Sequence, residues 1–115
     1  MSKTLHLTLR RKWFDMILSG VKLEEYRELK EYWQDRFMHW DIAERNSFST
    51  IKSYGDYRHF DTITFRNGYS KNAPEMVVEC LGITIGRAVP EWSDNWPGEC
   101  FVIKLGKIIS ITNNK

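Results

Sequence analysis

The chain has 115 residues, 42% of them hydrophobic and 28% charged, and its 17 lysines and arginines against 15 aspartates and glutamates leave a formal net charge of +2. That length suits one hydrophobic core rather than two, so a single domain over 1–115 is expected. No apolar run is long enough to cross a membrane, and a charge this small excludes the strong basic excess of a general phosphate binder, leaving recognition to local arrangement.

In chain order, "TLHLTLR" alternates Leu5, Leu7 and Leu9 with His6 and Thr8, the period of a half-buried strand. "RKWFDMILSG" then places Trp13, Phe14, Ile17 and Leu18 at helical spacings, with Gly20 where a left-handed cap would end the helix. Trp13, on that apolar stripe, is assigned to the core. "KLEEYREL" reads as extended. "KEYWQDRFMHW" returns to helical spacing, with Leu29, Trp33, Phe37 and Trp40 sharing one side. Residues 41–57 read as polar connection with turn residues.

The second half is strand-rich. "FDTITFRNGY" sets Ile63 and Phe65 against Thr62, Thr64 and Arg66 and ends in Asn67-Gly68, a strong turn signal. "PEMVVECLGITIG" and "CFVIKLGKIISI" are β-branched runs, each broken by a glycine, Gly82 or Gly106, at positions suited to a bulge or bend. In the first, Met76, Val78 and Cys80 are expected to face inward, with Gly82 switching the parity for Ile83 and Ile85; without that bulge, Glu79 would share the face of Val77 and Leu81. Between the runs, the loop "EWSDNWPG" carries Trp92 and Trp96, which suit either a lid over a cleft or a plug at the end of a barrel. The order of elements suggests an α+β domain on a small bent sheet or barrel with two short helices.

Several chemistries lack their residues. There is no glycine-rich phosphate loop, no G-x-S-x-G elbow and no H-E-x-x-H pair. His6, His39 and His59 are scattered and no C-x-x-C occurs, so neither metal nor cofactor is expected. Cys80 and Cys100 lie in strand-like runs. With no export signal, a cytoplasmic location and buried free thiols are expected.

The densest chemistry is "GVKLEEYR", residues 20–27. In an extended backbone Lys22, Glu24 and Tyr26 would point one way and Leu23, Glu25 and Arg27 the other, allowing Glu25 to pair with Arg27. The plain alternative is a solvated edge with surface ion pairs, each contributing little. A desolvated lysine can also act as base or nucleophile, whereas a carboxylate beside it favours the stabilisation of a developing oxyanion.

This stretch matches the G-x-K-x-x-x-x-R element of the ASCH domains, members of the PUA-like superfamily. The helix "KWFDMILSG", the closing "WPGECFVIKL", and "FRNGY" followed by "VVECLGI" also resemble that group, in its phage and bacterial branch. The resemblance covers nearly all of the chain outside 41–57. It implies a small PUA-like β-barrel with two helices packed on it and a cleft into which Lys22 and Arg27 project. It also implies RNA or a modified nucleoside as partner. One bacterial subgroup hydrolyses 4-acetylcytidine with the motif lysine, a threonine three residues on, and a later glutamate. Only the lysine carries over, as Lys22; Glu25 stands at the threonine position and no residue matches the later glutamate.

Two functions follow as expectations. In the first, Lys22, Arg27, Arg66 and Asn67 contact phosphate or base edges while Tyr26, Tyr69 or a loop tryptophan stacks on a base; barrel packing is the equal alternative for the two tyrosines. In the second, Lys22 and Glu25 catalyse hydrolysis of a modified nucleoside or of RNA.

Overall fold

In the computed structural model, which describes residues 3–38, 57–94 and 98–112, leucines at alternate positions decide the first element. Strand β1 (Thr4–Leu9) buries Leu5, Leu7 and Leu9 and turns Thr4 and His6 outward. Helix α1 (Arg11–Leu18) buries Trp13, Phe14 and Ile17. There follow β2 (Glu24–Arg27), α2 (Glu31–Phe37), β3 (Thr62–Asn67), β4 (Glu75–Arg87), a 3-10 turn (Pro90–Trp92) and β5 (Glu99–Thr112). The five strands form one sheet in the order β1-β3-β4-β5-β2. The protein is thus α+β, with two α-helices among the described residues.

The described chain gathers into two units. One comprises Met1–Glu25, Phe60–Gly82 and Ile103–Lys115, the other Tyr26–His59 and Ile83–Val102.

In the first unit, β1 pairs parallel with β3 and β3 antiparallel with β4. A parallel pair needs a long crossover, here the chain that carries both helices. The registers place Leu5, Ile63 and Val78 in one row and Leu7, Phe65 and Met76 in the next. All six are buried, and burying each such side chain stabilises by about 1.5–3 kcal/mol. This shared period of two fixes the register, since a one-residue slip would turn each apolar set to the opposite face.

β4 changes parity as expected. Met76, Val78 and Cys80 are buried, Leu81 is exposed, and Ile83 is buried again beyond Gly82, whose φ is +139°. That backbone conformation suits a residue without a Cβ. β5 continues through Gly106, and the Glu79 carboxylate lies where a Cβ on Gly106 would stand. The Glu79 Oε1 also accepts the Lys107 N–H at 3.4 Å.

In the second unit, Trp33 stacks on Phe37 at 5.3 Å, and Phe37 meets the Phe101 ring edge-on at 5.1 Å. The predicted helix ends early. Met38 is extended, with φ −125° and ψ 153°, and bridges Tyr57, which leaves the 41–57 connection at that point. Trp40 and Trp96 lie outside the described residues, as does 41–56. Trp92 packs against the buried cluster of Tyr26, Cys100 and Val102. Cys80 and Cys100 are buried and free.

Candidate functional site

The end of α1 sets the position of Lys22. Gly20 takes φ +83° and donates its N–H to the Ile17 carbonyl at 3.0 Å. The Val21 and Lys22 N–H groups both bond the Met16 carbonyl at 3.0 Å. These bonds close the helix in the left-handed manner its glycine predicts. They also hold Lys22 in the turn, two residues before β2 begins.

Lys22 and Glu25 are the two buried charged residues among those described, 2% and 3% exposed. The Lys22 Nζ lies 3.2 Å from Glu25 Oε1 and 4.7 Å from the centroid of the Trp13 ring. Strand alternation puts these two side chains on opposite faces. The alternation does not reach back to Lys22, because the residue belongs to the helix cap, and its partner lies at i+3. Trp13, read as core, is buried but is also the aromatic neighbour of this ammonium.

The pair is chemically notable because removing two charges from water is unfavourable. Apolar replacements of a buried ion pair are often as stable or more so, whereas deleting one partner leaves an uncompensated charge. Stability alone therefore gives weak reason for its presence.

The other expected site residues divide between the units. Tyr26 is packed, 2% exposed, and its hydroxyl accepts the Val89 N–H at 3.1 Å. Of its two readings, packing is the one seen. Arg27, also in the second unit, sets its guanidinium 5.1 Å from the Trp33 ring and donates to the Tyr26 carbonyl at 3.0 Å. In the first unit, the Arg66 guanidinium braces the turn after β3 by donating to the Ser70 carbonyl and, at 3.0 Å, to that of Lys71. On the same turn Tyr69 is 90% exposed. Lys22 and Glu25 are thus brought together, while Arg66 serves the loop that presents Tyr69.

Asn67 belongs to a feature that the sequence does not announce. A groove of about 490 Å³ is lined by Arg11, Phe14, Asp15, Leu18, Asn67, Pro74 and Ile111. Its helical wall falls at positions i, i+3, i+4 and i+7, one stripe of α1. That spacing is legible in sequence, whereas the approach of Pro74 and Ile111 to it depends on tertiary structure.

Burial pushes the Cys80 thiol above its ordinary value, and the negative charge of Asp61 adds to this, against an opposing hydrogen bond from the Gly82 backbone. Among the described residues no group of three or more His, Cys, Asp or Glu gathers as a metal centre would require, and no helix is long and apolar enough to cross a membrane.

No family model, curated protein or solved structure matches the chain.

Proposed function

We propose that the chain is an ASCH-like module of PUA-like barrel type that binds RNA or a modified nucleoside, with Lys22 and Glu25 reading the base. The observation that carries the proposal is the buried pair itself: an ammonium and a carboxylate 3.2 Å apart, at the lysine of the G-x-K-x-x-x-x-R element. A lysine only donates hydrogen bonds and an ionised glutamate only accepts them. A nucleobase edge presents both kinds of partner. In cytosine the amino group would serve Glu25 and the neighbouring ring acceptors Lys22, following the carboxylate-to-cytosine pairing known from base readout.

Because both side chains are shielded from water, a ligand reaches them by displacing the short segment between the helix cap and β2. Val21 and Leu23, on either side of Lys22, already stand 56% and 53% exposed. The test is calorimetric titration of cytidine, 4-acetylcytidine and a cytidine-containing single-stranded RNA into the wild type and into Lys22→Met/Glu25→Leu. Binding of any of the three that is lost in the folded double variant supports the reading. No binding by the wild type, or equal binding by both proteins, overturns it.

A second reading is hydrolysis of a modified nucleoside, favoured by the contact between Lys22 and the residue three positions on, where the hydrolysing subgroup of ASCH domains has its threonine. Glu25 would take a proton from water as the water oxygen adds to the acetyl carbonyl carbon of 4-acetylcytidine, with Lys22 stabilising the oxyanion. Collapse then breaks the carbon–nitrogen bond, the proton passes to the departing amine, and cytidine and acetate leave. Chromatography of a timed reaction tests this step. Cytidine release that disappears in Lys22→Met/Glu25→Leu supports hydrolysis, and an intact substrate refutes it.

A further inference from the structure

We infer that the groove beside α1 is a second nucleic-acid contact, taking one base of a single strand while the cations at the start of the helix hold its phosphates. The inference rests on the RNA-binding reading above but concerns a different face of α1 from the one that meets Lys22. Four observations converge on it.

The first is the lining. Phe14, Leu18, Pro74 and Ile111 give the groove apolar walls. Its volume of about 490 Å³ lies in the range of roughly 300–1,000 Å³ typical of small-ligand clefts. Two lining residues stand partly in water, Ile111 at 52% exposed and Leu18 at 37%. A planar base would cover them.

The second is Asn67, which is among the lining residues. An asparagine amide offers a donor and an acceptor together and pairs in bidentate fashion with the adenine edge. The third is charge. Arg11 lines the groove and Arg10 is the exposed cation next to it in sequence, whereas Lys12 sets its Nζ 4.6 Å from the Trp13 ring, on the Lys22 side of the helix. A carboxylate, Asp15, is also in the lining, but it lies 3.5 Å from Arg11 Nε in an exposed i,i+4 pair. Pairs of that kind are weak, so the guanidinium remains able to take a phosphate.

The fourth is the loop joining the two groove residues Asn67 and Pro74. It holds the exposed ring of Tyr69 and the exposed Lys71, and Arg66 braces it through the Ser70 and Lys71 carbonyls. A fixed loop that carries a bare aromatic ring is a stacking platform for the next base. Cations, an apolar slot, an amide and an exposed ring together suit a single-stranded nucleic acid better than an acidic peptide, which would use the cations and leave the slot and the ring idle.

The experiment is fluorescence anisotropy of a labelled adenine-rich RNA 8-mer between 50 and 200 mM salt. The proteins are the wild type, Arg10→Ala/Arg11→Ala, Tyr69→Ala and Lys22→Met/Glu25→Leu, with an unlabelled polyglutamate peptide as competitor. Each phosphate contact on a single strand contributes about 0.7 to the salt slope, so removing two lowers it by about 1.4. Over a fourfold change in salt that amounts to an affinity loss about sevenfold smaller in the double-arginine variant than in the wild type. Tyr69→Ala is expected to weaken binding about fivefold or more, the lower bound for one stacked base.

An unchanged slope in Arg10→Ala/Arg11→Ala together with unchanged affinity in Tyr69→Ala overturns the inference, as does displacement of RNA by an equal charge of polyglutamate. RNA binding lost only in Lys22→Met/Glu25→Leu would place the whole contact at the buried pair, refuting the groove and leaving the proposed function intact. Nucleoside binding without RNA binding would have the same meaning, whereas no binding of either refutes both.

Discussion

Replacing Lys22 by methionine removes one member of the buried pair while nearly keeping its volume. Glu25 would then remain a carboxylate 3% exposed to solvent, its partner at 3.2 Å gone. Breaking a buried pair in this way costs about 3–5 kcal/mol, and burial of both groups means that solvent screening gives little relief. Domains of this size have total stabilities of about 5–15 kcal/mol, so the loss is a large fraction of the whole. At roughly 4 °C per kcal/mol for a chain near 100 residues, the melting temperature falls by about 12–20 °C. Urea unfolding followed by tryptophan fluorescence, with calorimetry for Tm, measures it. The companion variant Lys22→Met/Glu25→Leu removes both charges and is expected to recover the wild-type stability or exceed it. A single variant within about 0.5 kcal/mol of the wild type, the ordinary scale of surface substitutions, would refute the claim that the pair is buried and mutually dependent. So would a double variant less stable than the single one.

Three further outcomes follow from other positions. Gly106→Ala places a Cβ against the Glu79 side chain, within 3.1 Å of its Cβ and closer to its carboxylate; an overpacking loss of about 1–3 kcal/mol is expected in urea unfolding, relieved when Glu79→Ala is added. Gly20→Ala meets no atom within 4 Å but must hold φ +83°, so it should cost only about 1–2 kcal/mol of backbone strain, and a larger loss would mean that the cap carries more than its own geometry. Folding raises the Cys80 pKa above its ordinary 9.0, so between those values the native state binds more protons than the unfolded chain, and stability present below pH 9.0 is lost as pH rises beyond it. Denaturation at pH 8, 9 and 10 should show this decline, and Cys80→Ala should flatten it.

Much of the sheet was legible in the sequence because its period is local. Leu5, Leu7 and Leu9 alternate in β1, Ile63 and Phe65 in β3, and Met76, Val78 and Cys80 in β4, and each set is buried. The parity switch at Gly82 was legible for the same reason, since the apolar pattern changes phase at a residue able to adopt the required φ. The end of α2 was not, because the extended conformation of Met38 answers to its bridge with Tyr57, nineteen positions away. At the site, Gly20 announced the cap, but not that Lys22 would stay within it. Alternation therefore does not bring Lys22 beside Glu25, whereas the cap does. For Tyr26 the sequence allows packing and stacking alike; the deciding partner, the Val89 N–H, is 63 residues distant.

Helix α1 organises both proposed sites through its own periodicity. Successive residues on a helix are about 100° apart, so Trp13 and Phe14 are both buried yet face different neighbours: Trp13 lies beside the Lys22 ammonium, and Phe14 lines the groove with Arg11, Asp15 and Leu18. The Lys22 side also depends on the helix end, where the Met16 carbonyl accepts both the Val21 and Lys22 N–H groups. The groove side depends on the body of the helix and on residues of β3 and β5. Strain introduced at Gly20 acts first on the two bonds to Met16 and hence on the position of the ammonium, two turns away from Arg11. A cap variant should therefore weaken nucleoside binding at the pair while leaving the salt slope for RNA unchanged. A loss of both in parallel would mean that the two faces of α1 form a single contact surface.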